Sequence, residues 1–162
     1  MPSLNQFKNL DPETRRAMTE RCVLRKKRFL GFTKLGIIPE AKVLIVGDCP
    51  APSAPDDPEF HFTPFAALWN SSLFLNLGLH EHEINESDLA WVNAANFKKV
   101  PTPTTILEHG WPLIVALGGA AEAWVKKAGK NCVRFDHPAY HKRFHGKKPH
   151  PLFEFLKELG SS

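Results

Sequence analysis

The chain has 162 residues, 43% of them hydrophobic and 23% charged, a composition that fits one soluble domain over 1–162 with its own core. Its formal charge of +4 is modest, no apolar run approaches the roughly 20 residues that span a bilayer, and "MPSLNQFKNLDPETRR" lacks an apolar stretch behind a basic start, so neither a membrane span nor a secretory signal is expected. Cys22, Cys49 and Cys132 are odd in number and not closely paired, which points to free thiols in a reducing cytosol and excludes a four-cysteine zinc or iron–sulfur site.

In chain order, Asp11-Pro12-Glu13 reads as an N-cap, a proline at the first helical position and an acid in the first turn. A helix from about Pro12 to Phe29 is expected, inside an N-terminal helical segment at about 10–35. Its imperfect apolar face runs through Ala17, Met18, Cys22 and either Leu24 or Arg25. "KVLIV" at 42–46 is continuous and β-branched, the pattern of a strand buried on both faces. Further strands are expected at 89–94 ("LAWVNA"), 112–117 ("PLIVAL") and 131–135 ("NCVRF"). Helical stretches lie between them near Pro64–Leu77, Thr104–His109 and Gly119–Ala128, and "PLFEFLKELG" closes the chain as an amphipathic helix. Cys49–Thr63 and Asp136–Pro151 are expected as long irregular segments, of the kind that carry function.

Strands alternating with helices define the expected fold class: α/β, a three-layer α/β/α sandwich with a central, mostly parallel four-stranded sheet. Ligands of such sheets bind beyond the carboxyl ends of the strands. The residues there are Gly47, Asp48, Cys49 and Pro50 after the first strand, Asn93–Asn96 at the second, Gly118 and Gly119 after the third, and Asp136, His137 and Pro138 after the fourth. A carboxylate, an amide and an imidazole thus share one rim. They can respectively stabilise a cation, read a donor–acceptor edge and stabilise a developing anion. Taken singly, Asp48 fits a turn cap, Asn93 a partner for buried backbone, His137 a loop residue, and Phe62 and Phe65 core. Their joint placement is what points to a site.

Two basic segments stand out: 15–34, and 126–148 with eight Lys or Arg against Asp136 alone. Both fit a polyanion partner, and equally a pair of solvated faces. There is no Walker A lysine motif and no G-x-G-x-x-G. The histidines of "HEH" (80–82) are expected in a polar loop without a third ligand in register, and His137, His141, His145 and His150 lie among basic residues. Neither group suits a cation, so no metal and no cofactor is expected.

Four segments carry a resemblance to the uracil-DNA glycosylase superfamily: "VLIVGDCPA", "HFTPFAALWNSSLFLNLGL", "LAWVNAAN" with "PLIVALGGAAEAW", and "FDHPAYHKRF". They occur in the family's order and cover roughly 42–145. The resemblance implies a G-x-x-P turn ending the first strand, with Asp48 matching the acidic residue of the thermostable iron–sulfur branch. Cys49 falls where other branches place a water-activating Asp or an Asn, and the cluster cysteines are missing. It further implies that Phe65 stacks on a flipped base, with Phe62 as the alternate, that Asn93 reads the pyrimidine edge, and that His137 stabilises the leaving base. The segment after His137 would meet DNA, through Tyr140 or Phe144 as a wedge and His141, Lys142, Arg143, Lys147 and Lys148 around it.

The implied activity is hydrolysis of the N-glycosidic bond of uracil or a modified pyrimidine flipped out of single- or double-stranded DNA, with catalysis by Asp48 and His137. A monomer, cytoplasmic or nucleoid-associated and without a membrane partner, is expected. The alternative is a protein on the same scaffold that recognises or modifies a base or nucleotide without excising it.

Overall fold

The structure is a computed structural model that describes residues 4–28, 40–48, 64–68, 70–95, 99–145 and 148–160. Four parallel strands, β1 (Val43–Gly47), β2 (Leu89–Asn93), β3 (Ile114–Leu117) and β4 (Val133–Phe135), form one sheet in the order β2-β1-β3-β4. Around it lie α1 (Leu4–Lys8), α2 (Pro12–Lys27), α3 (Asn70–Glu81), α4 (Gly119–Lys127), α5 (Pro138–His145) and α6 (Pro151–Gly160), with 3-10 turns at Glu86–Asp88 and Thr104–His109.

The three layers follow from strand alternation. Val43 and Ile45 of β1, Leu89 and Trp91 of β2, and Val115 and Leu117 of β3 point to one face, where Leu75 and Leu79 of α3 and Leu152, Phe153 and Leu156 of α6 cover them. Leu44, Val46, Ala90, Val92, Ile114 and Ala116 point to the other, against Leu107, Trp111, and Ala121, Trp124 and Val125 of α4. Both faces of β1, β2 and β3 are therefore dry, which is why they read as continuous apolar runs. β2 and β4 are the edges; β4 is only partly buried, and its exposed Arg134 discourages further strand pairing.

β1 is shifted one residue on from its expected span, β2 ends one residue early, β3 and β4 begin two residues late, and α2 keeps its expected cap: Asp11 accepts from Thr14 N–H at 3.0 Å. Phe29 lies outside the described residues. Of the two candidates for the inner face of α2, Arg25 is the buried one and Leu24 is exposed.

Two expectations are corrected. The helix near 64–77 starts later and runs further, Asn70–Glu81, because Pro64 and Phe65 form a turn in which Phe65 takes a left-handed φ of 52°. His80 and Glu81 therefore belong to the last turn of a helix, not a loop. Second, the stretch 136–151 is not irregular: α5 occupies 138–145, with Pro138 at its start, and packs on α3.

Gly78 of α3 is the point of closest approach to α6. A Cβ there would sit 2.0 Å from the Phe153 ring. Gly78→Ala is expected to cost about 1–3 kcal/mol through overpacking, read as a lower urea midpoint with an unchanged slope.

Candidate functional site

The strand order reverses direction at β1, with β2 on one side and β3 on the other. In a parallel sheet such a reversal opens a crevice at the carboxyl ends of the two central strands. Asp48 emerges from β1 and Gly118 from β3 at that crevice. The β1–β2 register places Gly47 opposite Asn93, and pairing continues one step beyond the strands: Ala94 N–H donates to Gly47 O at 2.9 Å and Ala95 N–H to Asp48 O at 3.0 Å. The backbone of Asp48 is thus fixed beside that of Asn93.

Gly47 leaves room for two side chains. A Cβ there would lie 2.5 Å from Asn93 Oδ1 and 3.2 Å from the Phe65 ring, so the amide and the ring close over the bare backbone. Asn93 is 7% exposed. Its carbonyl accepts from the Thr102 hydroxyl at 2.7 Å, and Thr102 N–H donates to Ala94 O, so Thr102 buttresses the chain that presents the amide.

His137 arrives from beyond β4 and folds back over Gly118, where a φ of +100° strains any side chain and an added Cβ would lie 3.3 Å from His137 Cβ. Its ring lies 5.5 Å from the Phe65 ring, centre to centre. Ala139 N–H donates to His137 Nδ1 at 3.1 Å. Nδ1 is then the acceptor, and the neutral ring carries its proton on Nε2. Burial lowers the imidazole pKa from its ordinary value, and the Asp48 charge opposes that shift without reversing it. His137 is thus a neutral Nε2–H donor at neutral pH.

Asp48, Asn93, Phe65 and His137 therefore meet at one crevice, while Cys49 and Phe62 lie outside the described residues. The candidate nucleic-acid residues separate. Tyr140 (50% exposed) and Phe144 (57%) lie together on the outer side of α5, ring centres 4.7 Å apart, with the Arg143 guanidinium 5.2 Å from the Phe144 ring. Lys148 is also exposed. His141 is the correction: it is 4% exposed, packs its ring on His150, and donates from Nε2 to Lys148 O at 2.7 Å. On α5 it occupies the inward position that Pro138 also takes, so it braces the loop and does not face a partner. The side chain of Lys142 and all of Lys147 lie outside the described residues.

Three arginines of the basic run 15–34 are turned to internal use. Arg21 and Arg25 reach Glu86, and Arg28 donates to the carbonyls of Leu89 and Glu40. The sequence also conceals that Arg25 and Asn76 both donate to the Phe65 carbonyl. The one signal available was the phase of Arg25, which continues the buried row of Met18 and Cys22 along α2. Among the described residues no group of three or more His, Cys, Asp or Glu is placed to hold a metal ion, and no helix is long and apolar enough to cross a membrane.

His150 sets a pH dependence for this end of the fold. Its Nε2 donates to Asp136 O at 2.8 Å and its Nδ1 accepts from Leu152 N–H at 3.1 Å, which demands the neutral ring. Burial holds its pKa below the ordinary 6.5. The unfolded chain then takes up the proton first as pH falls, so this contribution is complete above about pH 6.5 and is lost below it. Urea midpoints measured between pH 8 and pH 5 are expected to decline on the acid side, with a shallower decline in His150→Gln.

No protein-family model matches the chain, and no curated protein matches it.

Proposed function

We propose that the chain is a DNA base glycosylase-like protein, related to the uracil-DNA glycosylase superfamily, that hydrolyses the N-glycosidic bond of uracil or a modified pyrimidine flipped from DNA. The observation that carries this reading is the convergence on Gly47 and Gly118 of an amide, an aromatic ring and a neutral imidazole donor, with a carboxylate beside them. Breaking the bond between the sugar C1′ and the base leaves positive charge on the sugar and negative charge on the departing pyrimidine. Asp48 stabilises the first and the Nε2–H of His137 the second. Phe65 and Asn93 replace the stacking and pairing that the base loses on leaving the duplex. The exposed Tyr140, Phe144 and Arg143 on α5 would contact the strand.

A non-excising reading is favoured by one observation: Cys49 occupies the position at which the resemblance calls for a water-activating group, and a thiol supplies no carboxylate. A gel assay separates the two. Oligonucleotides containing uracil, hydroxymethyluracil or a G·T mismatch are incubated with the protein and cleaved with alkali. Strand breaks that disappear in Asp48→Asn and His137→Ala support excision. Salt-dependent binding without base release supports recognition alone, and binding of neither DNA nor free nucleotides removes both readings.

A further inference from the structure

We propose that Arg25 and Asn76 are positioning residues for Phe65: by holding its carbonyl they fix the left-handed backbone that sets the ring against Gly47, Asn93 and His137. The proposal rests on the reading of Phe65 as the base-stacking ring and gives that ring a reason to be in place before a base arrives.

A phenylalanine at φ 52° occupies a region that side-chain-bearing residues rarely adopt, and it persists only where its surroundings hold it. Two donors converge on its carbonyl, Arg25 Nη1 at 2.6 Å and Asn76 Nδ2 at 3.0 Å. Both are themselves immobilised. Arg25 is fully buried, donates from Nε and Nη2 to the two Glu86 carboxylate oxygens at 3.1 and 2.8 Å, and lies 3.8 Å from the centre of a Trp91 ring. Trp91 Nε1–H donates to the same carboxylate at 2.6 Å and meets the Phe65 ring edge-on at 6.2 Å.

Asn76 is also fully buried, and its Oδ1 finds no hydrogen-bond partner among the described residues. An amide buried with half its capacity unused is a costly way to fill space. Its Nδ2 has one strong acceptor, the Phe65 carbonyl, beside a long contact of 3.8 Å to Cys22 Sγ. A carbonyl that needs one donor to be satisfied has two, from different helices, at a residue whose backbone is strained and whose ring faces His137. Simple stabilisation of the turn would not require both.

The test uses Asn76→Ala and Arg25→Lys, each first shown to unfold cooperatively, so that loss of one variant leaves the other. The first readout needs no ligand: the His137 ring resonances, which sense the Phe65 ring at 5.5 Å. Each variant is expected to shift them, and in a Phe65→Ala background the same substitution is expected to add nothing. The second readout is kinetic, on a uracil-containing single-stranded oligonucleotide, with KM raised roughly tenfold and kcat within about twofold, as when ground-state and transition-state binding are lost together. Unmoved His137 resonances in both variants, or equal shifts with and without the Phe65 ring, would overturn the proposal. If the wild-type protein releases no base from any oligonucleotide, the stacking reading falls, while the resonances still decide whether the clamp positions the ring.

Discussion

Glu86→Ala is expected to destabilise the protein by about 3–5 kcal/mol, the range for a buried ion pair stripped of one partner. Against a total of about 5–15 kcal/mol for a typical domain, that is enough to leave a substantial unfolded population under mild denaturant. The Glu86 carboxylate accepts from Arg21 and from Arg25 Nη2 on one oxygen, and from Arg25 Nε and Trp91 Nε1 on the other. Alanine would leave the fully buried Arg25 guanidinium without its counter-charge and Trp91 Nε1–H without its acceptor. Glu86→Gln should cost less, because one oxygen still accepts, yet its amide N–H₂ would face donors. Urea unfolding of the two variants at pH 7 measures the order: wild type above Gln, Gln above Ala. A Glu86→Ala midpoint within error of wild type would show that the network carries no net stability.

On the proposed glycosylase reading, His137→Ala is expected to slow base release by about 10²–10³-fold, the loss found when one donor to a developing oxyanion is removed. The ring is a specific donor because Ala139 N–H occupies Nδ1 and leaves the proton on Nε2. Its lowered pKa keeps it neutral, so it offers a directed N–H bond and not a diffuse charge. His137→Gln supplies an amide donor at a similar reach and is expected to recover part of the rate. Single-turnover release of base from a uracil oligonucleotide, at saturating enzyme, isolates this step from binding. Equal rates for the Ala and Gln variants would mean that the imidazole acts by shape alone.

The fold was legible in the sequence where residues are buried for simple reasons. "VLIV", "LAWV" and "LIVAL" are sheet interior on both faces, and their spacing left room only for crossover helices. The rim residues Asp48, Asn93 and His137 followed, because topology alone brings strand ends together. What escaped were the features decided by long-range partners. Arg25 and Leu24 read as alternatives for the inner face of α2 until Glu86, some sixty residues away in sequence, is placed beside Arg25. Phe65 reads as a helical residue until two donors hold its carbonyl outside helical geometry. Helix α5 reads as loop because Tyr140 and Phe144 face outward and its inner face is made by Pro138 and His141, a weak apolar signal. His141 reads as a DNA-contacting residue for the same reason: local sequence gives no hint of the carbonyl at Lys148 that it serves.

The sheet order has a kinetic consequence. β1 sits between β2 and β3, and each pairing, Val43 with Leu89 and Leu44 with Ile114, joins residues that are far apart along the chain. Among the described residues no strand pairs with a hairpin neighbour, so each step must close a long loop before any ladder bond rewards it. During synthesis "VLIV" leaves the ribosome well before either flank exists, an apolar segment waiting uncovered for most of the remaining chain. Slower translation would lengthen that wait, whereas a holdase that masks short apolar strands would shield β1 through it.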